Sequence, residues 1–258
     1  FVVLQAGGAK VPHGGVGLFS NGYLPAENQG SIIVGDKQPA VRNIQPREAD
    51  AAQRSRLKFV KGLDTDFIKK IGGNNDVEAA VRNYETAYRM QTAVPELCDL
   101  RGETAATKKM YGMDSPNGVT AAYGHQALLA RRLVERGVRF INIVYASWDH
   151  HSNLDPELKF NAGAVDQPIA ALIKDLKQRG MLDDTLIVWG GEFGRTVYSQ
   201  GKLTKQNYGR DHHPNCFTTW LAGGGVRGGM TYGSTDDYSV NVAEDHVHVH
   251  DLQAPILH

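Results

Sequence analysis

Cysteine is almost missing from this sequence. Cys98 and Cys216 are the two present, far apart and in no CxxC pattern. That excludes a disulfide framework and a cysteine metal site. An excess of charge of one sign is missing too, since 28 Lys and Arg meet 28 Asp and Glu. Nucleic-acid partners normally leave a basic excess, so none is expected. No apolar run approaches the length of a membrane span, so no span is expected either. The Gly-rich stretch Gly7, Gly8, Gly14, Gly15 and Gly17, with His13 inside it, fits neither GxGxxG nor the P-loop pattern. No phosphate cradle is assigned to it.

What is present is an ordinary globular composition. A 41% hydrophobic and 22% charged chain of 258 residues can build one large α/β domain with a sizeable core. Ten histidines stand out because several lie beside acids. The chain opens on Phe1-Val2-Val3-Leu4 without a Met, and its last stretch, Asp251–His258, reads as the opening of a helix. Both ends read as cut, and the sequence is expected to be a piece of a longer one.

Phe1–Leu4 reads as a buried strand and Ser31–Val34 as a second, short one. From Pro46 to about Thr92 the composition is helical, and 46–110 is read as a helical insertion or cap. Leu57, Val60, Leu63 and Phe67 supply one apolar stripe. Gly72-Gly73-Asn74-Asn75 breaks it, and Asp76 suits a cap for the next helix, which carries Val77, Val81, Tyr84 and Tyr88 on one side. Pro95–Leu100 is read as the start of a third, short helix. Ala121–Gly137 is a strong helix with Gly137 as its stop. Its Arg131, Arg132, Glu135 and Arg136 are most simply a solvated face.

Val138–Tyr145 is the next strand. Val165, Ile169, Leu172, Ile173 and Leu176 form a helical stripe ended by Arg179-Gly180. Thr185–Trp189 is an unbroken apolar run that reads as a strand buried on both faces. Strand, helix and strand make a βαβ crossover, which predicts parallel strands. Cys216–Ala222 is a further apolar strand. The alternation from His246 to Asp251 reads as a last one, with His246, His248 and His250 on one face.

Parallel strands bring their C-terminal ends to one sheet edge, where open α/β sheets place their chemistry. Glu192 follows Thr185–Trp189 after two glycines. Asp149, His150 and His151 follow Val138–Tyr145. Asp211, His212 and His213 form a second acid–imidazole string. A single such string is an ordinary surface loop; two of them with a strand-end Glu point to a metal centre. Mixed oxygen and imidazole donors suit Zn²⁺, Mn²⁺ or Fe²⁺ better than Ca²⁺, which prefers oxygen alone. Such a site hydrolyses esters by polarising a phosphoryl or sulfuryl oxygen. Arg195 and Arg210 are candidates to hold the tetrahedral anion.

WGGEFGRT, YGRDHHP, CFTTWLAGGGVRGG, TYGSTDD and VHVHDL, with SWDHHSNL, DLKQRGMLDDTL, ETAYRMQTAVPEL and LLARRLVERGVRF, run essentially from end to end. Together they resemble the bacterial family catalogued as domain of unknown function 1501. That family is similar in fold to the alkaline phosphatase and sulfatase superfamily. The resemblance implies one three-layer α/β/α sandwich over 1–258, with a mostly parallel sheet. It also implies an exported protein acting on a small-molecule or carbohydrate sulfate or phosphate ester, with a divalent metal (Zn, Mn or Ca) as cofactor. The alternative is a non-catalytic relative, metal-stabilised or carbohydrate-binding.

Carried over by position, Asp149 and His151 look like the superfamily's Asp and His after a middle strand. Glu192-Phe193 stands where the superfamily has Asp-His. His213, or His212, looks like its late histidine. The implied metal ligands are Asp149, His151, Glu192 and His213. Arg195 would hold the anion, and Asp211 or His212 would orient ligands or act as acid or base. The superfamily's first metal-binding Asp and its nucleophile have no match in Phe1–Ser31 and are expected upstream.

Overall fold

Val3 and Leu4 are fully buried. The strand that carries them, β1 (Val2–Gln5), is the middle of a three-stranded parallel sheet. Its neighbours are β2 (Ser31–Ile33) and β3 (Ile141–Val144), with Leu4 opposite both Ile33 and Ile143. The structure, a computed structural model, describes residues 1–5, 14–35, 37, 39–73, 75–201 and 203–257. Gly7, Gly8 and His13 of the Gly-rich stretch and Asn74 lie outside the described residues, as does the side chain of Asp76. The chain divides into two compact units, Phe1–Ala146 and Ser147–His258. No helix among the described residues is long and apolar enough to cross a membrane.

In the first unit, α1 (Asp50–Ile71) and α2 (Asn75–Cys98) pack on one another. Leu57 and Val60 of the expected stripe are partly covered, but Leu63 and Phe67 are 55% and 51% exposed. The covered positions run Gln53, Leu57, Val60, Asp64 and Ile68, so the packed face turns away from those two. The separate helix expected at Pro95 does not form. Instead α2 continues through Pro95 to Cys98, where Val94 and Leu97 are buried. Core packing there outweighs the helix bond that a proline lacks. The next helix is α3 (Ala105–Met110), capped by the Thr104 side chain accepting from the Thr107 N–H.

Helix α4 (Gly118–Glu135) is capped by Asn117, whose side chain accepts from the Val119 N–H at 3.0 Å. Its Leu129 and Leu133 join Leu4, Ile33, Val94 and Leu97 in the core. Two charged residues on it, Arg131 and Arg132, are not on a solvated face. Arg131 is 2% exposed and pairs with Glu103 and Glu135, each at 2.7 Å. Arg132 also reaches Glu103, at 2.9 Å. A buried guanidinium requires such partners, and Glu103 arrives from the turn before α3.

The second unit is organised differently from the sequence expectation. Helix α5 (Leu154–Gln178) buries Ala164, Val165, Leu172 and Leu176. The strand after it, β4 (Ile187–Trp189), pairs antiparallel with β7 (Trp220–Ala222). The two strands of the expected crossover share no ladder among the described residues: β3 joins the parallel ladder of β1, and β4 the antiparallel ladder of β7. β4 is also not buried on both faces, since Val188 and Trp189 are exposed. Between β4 and β7 lie two short strands that pair with one another, β5 (Gly194–Arg195) and β6 (His212–His213). β8 (Ser234–Thr235) and β9 (Val242–Glu244) form a last antiparallel pair. The expected His246–Asp251 strand is replaced by the start of α6 (Val249–Leu257). Asp251 accepts from the His248 N–H at 2.8 Å, a capping bond that stabilises a helix start over an extended strand.

Candidate metal centre

The loop before α5 carries Asp149 and His151, β6 carries His212, and β5 carries Arg195. Backbone bonds tie these segments together. The Arg210 N–H donates to the His150 carbonyl at 2.9 Å and the Leu154 N–H to the Tyr208 carbonyl at 3.0 Å. The Asn153 N–H donates to Asn207 Oδ1 at 2.8 Å. Gly209 permits this approach, because a Cβ there would lie 2.1 Å from the His151 carbonyl. Only glycine fits such a contact. On the other side, β5 and β6 place Arg195 opposite His212. Buried Thr196 continues the pairing: its N–H donates to the Asp211 carbonyl, and its hydroxyl accepts from the Asp211 N–H, each at 2.9 Å.

The result is a tight group of donor atoms. His151 Nε2 and His212 Nε2 each lie 2.9 Å from Asp149 Oδ1, and 3.0 Å from one another. Arg195 donates to the same oxygen at 2.5 Å. Among the described residues, no other three His, Cys, Asp or Glu gather donor atoms this closely. Partial burial opposes the Asp149 charge, but the bonds from Arg195 and His212 outweigh it and hold the carboxyl at about 2. The group is ionised at neutral pH.

The surroundings orient the trio. His150 is buried, and Asn161 donates to its Nε2 at 3.1 Å. Burial pushes the His150 pKa down, so the ring stays neutral, with Nε2 as acceptor. Asn161 also donates to the Ser147 carbonyl at 2.5 Å, fixing the loop's entry. The Phe193 ring packs on the His212 ring at 4.6 Å between centroids, and the Arg195 guanidinium lies 5.6 Å from the same Phe193 ring.

The expected residues divide into two sets. Asp149, His151, His212 and Arg195 come together. Glu192 reaches the group through Arg195, whose NH2 is 3.5 Å from Glu192 Oε1. Asp211 accepts from the His212 N–H at 2.7 Å and so braces β6. His213 is not in the trio; its Nε2 lies 2.8 Å from the Val240 carbonyl. Successive side chains on a strand leave on opposite faces, and that alternation selects His212 over His213. Arg210 donates to the Val197 carbonyl at 2.7 Å.

The roles of Asn161, Gly209 and Phe193 escaped the sequence reading. Asn161 did carry a signal: it stands four residues before Val165, on the apolar stripe of α5. A polar residue on a buried face needs a partner.

The model of the family described as "Protein of unknown function (DUF1501)" matches residues 1–258. No curated protein and no solved structure matches the chain.

Proposed function

The chain belongs to the DUF1501 family, and we propose that it serves in the divalent-metal-dependent hydrolysis of sulfate or phosphate esters, as part of an exported bacterial protein. The observation that carries this reading is the meeting of Asp149, His151 and His212 around one point, with donor atoms 2.9–3.0 Å apart. The spacing fits an ion. Bonds of about 2.0–2.2 Å to one cation put neighbouring donors roughly 2.8–3.1 Å apart in octahedral geometry and about 3.3–3.6 Å in tetrahedral geometry. The two Nε2 atoms also face one another while sharing a single carboxylate oxygen. Two Nε2 protons would serve the carboxylate but leave the Nε2–Nε2 contact donor to donor; a cation serves all three contacts.

Asp149, His151 and His212 would hold the ion, and mixed N and O donors favour Zn²⁺ or Mn²⁺ over Ca²⁺. A bound divalent cation would polarise the ester's oxygen and lower the pKa of a water at the site. Arg195 supplies the anion contact. With NH1 on Asp149 and NH2 toward Glu192, its planar fork keeps further N–H donors for a tetrahedral oxyanion. Asp211 positions His212 through the backbone, and the His150–Asn161 pair positions the Asp149 loop. The same reading takes the fold as alkaline phosphatase-like, with the helices of 46–110 as an insertion.

A second reading is favoured by Phe193, whose apolar ring packs on His212 where the superfamily has a histidine. It is a non-catalytic relative, metal-stabilised or carbohydrate-binding. Elemental analysis of protein purified without chelator, beside an Asp149→Ala, His212→Ala double variant, tests the metal. A screen of sulfate and phosphate esters then separates the two readings. Stoichiometric metal that vanishes in the variant, with ester turnover in the parent, is the expected result. A parent that cannot be loaded with Zn²⁺, Mn²⁺ or Ca²⁺ sinks the hydrolase reading, and a loaded parent without turnover leaves the second one.

A further inference from the structure

The chain has three tryptophans, and all three gather in the second unit. Trp189 and Trp220 are cross-strand partners on β4 and β7, with rings near parallel at 12° and centroids 6.1 Å apart. Trp148 meets Trp189 edge-on at 6.4 Å and 89°. His150 stands edge-on to Trp148 at 6.4 Å, and His150 is itself buried and bonded to Asn161. The group is therefore braced at one end. The middle ring, Trp189, is 37% exposed, so the group keeps one open side.

Trp148 directly precedes Asp149, so the aromatic group begins one residue, about 3.8 Å of backbone, from the candidate metal ligand. A tryptophan that keeps over a third of its surface in water, beside a polar centre, is a residue type suited to ligands with one apolar and one polar side. The flanks are polar as well. Gly190 follows Trp189 and lies against the Thr219 side chain. Glu192, with a 65% exposed side chain, lies three residues after Trp189.

We propose that Trp148, Trp189 and Trp220 form a platform for a saccharide ring, which is the organic part of the ester whose anionic group faces Arg195. This rests on the reading of the Asp149 centre as an ester site. A pyranose ring presents C–H groups on one face and hydroxyls around its rim. The C–H face packs on indole rings, and the hydroxyls find Thr219, Glu192 and water. A purely hydrocarbon body would cover the aromatic rings but take water from the exposed Glu192 carboxylate without replacing it.

The probe is a monosulfated disaccharide together with its unsulfated counterpart, titrated into the metal-loaded protein by calorimetry and by tryptophan emission. The parent is expected to bind both, the sulfated form more tightly, with a change in emission. Trp189→Ala should weaken both by roughly tenfold or more, and Trp189→Phe, which keeps a ring, should stay within about threefold of the parent. Binding by Trp189→Ala as tight as the parent's, or a parent that binds neither sugar without any emission change, overturns the platform. The emission change needs no variant, so a misfolded Trp189→Ala does not block the test. Disaccharide binding that depends on Trp189 but survives Asp149→Ala, in a protein that takes up no metal, keeps the platform and removes the ester-hydrolysis reading.

Discussion

His212 and His213 are neighbours on one two-residue strand, yet their rings serve different partners in the second unit. His212 Nε2 is 2.9 Å from Asp149 Oδ1, while His213 Nε2 is 2.8 Å from the carbonyl of Val240. The first histidine joins the donor group, and the second ties β6 to the loop before β9. His212→Ala should lower divalent-metal affinity by at least roughly 100-fold, more than removal of a supporting group does. His213→Ala should leave affinity within about tenfold and act on stability instead. Metal titration by calorimetry, beside thermal melts, checks the pair. The reverse pattern would show that the strand carries the opposite register.

Asn161 should matter to the same site without touching it. Its side chain donates to His150 and to the Ser147 carbonyl, so Asn161→Leu leaves both acceptors unpaired. A loss of about 1–3 kcal/mol in stability is expected for a buried pair broken on one side. Metal affinity should fall about 10–100-fold, the range for groups that orient ligands from behind. A variant with normal metal affinity and lowered stability would reduce Asn161 to a packing residue.

Gly209→Ala should be costly despite adding one methyl. The new Cβ would stand 2.1 Å from the His151 carbonyl and 2.6 Å from the His150 oxygen. The His150 carbonyl cannot retreat without breaking the Arg210–His150 bond. Destabilisation of about 1–3 kcal/mol is expected from overpacking, together with lost metal binding as the two loops part. Gly201→Ala, where a Cβ meets nothing within 4 Å but φ is 74°, should affect stability and leave metal binding intact.

Glu103 gives the first unit an acid-sensitive anchor. Burial raises its pKa, but the bonds from Arg131 and Arg132 outweigh that and leave it below the ordinary 4.5. A carboxyl held low in the folded state stabilises above its unfolded pKa, and that contribution is lost as pH falls from 4.5 through the folded value. Glu103→Ala should remove about 3–5 kcal/mol at neutral pH, because Arg131 then stays buried with one partner gone. Glu103→Gln should flatten the acid limb of stability. Denaturant melts between pH 7 and 3 on parent and variant measure both effects.

The sequence carried much of this protein on its own. Hydrophobic spacing located β1, β2, β3 and α4 within a few residues, and the second half and end of α5 but not its start at Leu154, since those elements bury a regular stripe or run. The paired acid–imidazole strings pointed to Asp149, His151 and the His212–His213 dipeptide, because chemistry of that type is visible as composition. Tertiary structure decided what spacing cannot encode. It chose His212 over His213 through the face of a two-residue strand, and it paired β4 with β7 instead of with a parallel partner. It carried α2 through Pro95, and it buried Arg131 on a helix face that reads as solvated until Glu103 arrives from elsewhere in the chain. Each of these depends on a partner distant in sequence, and such partners meet only when the chain folds.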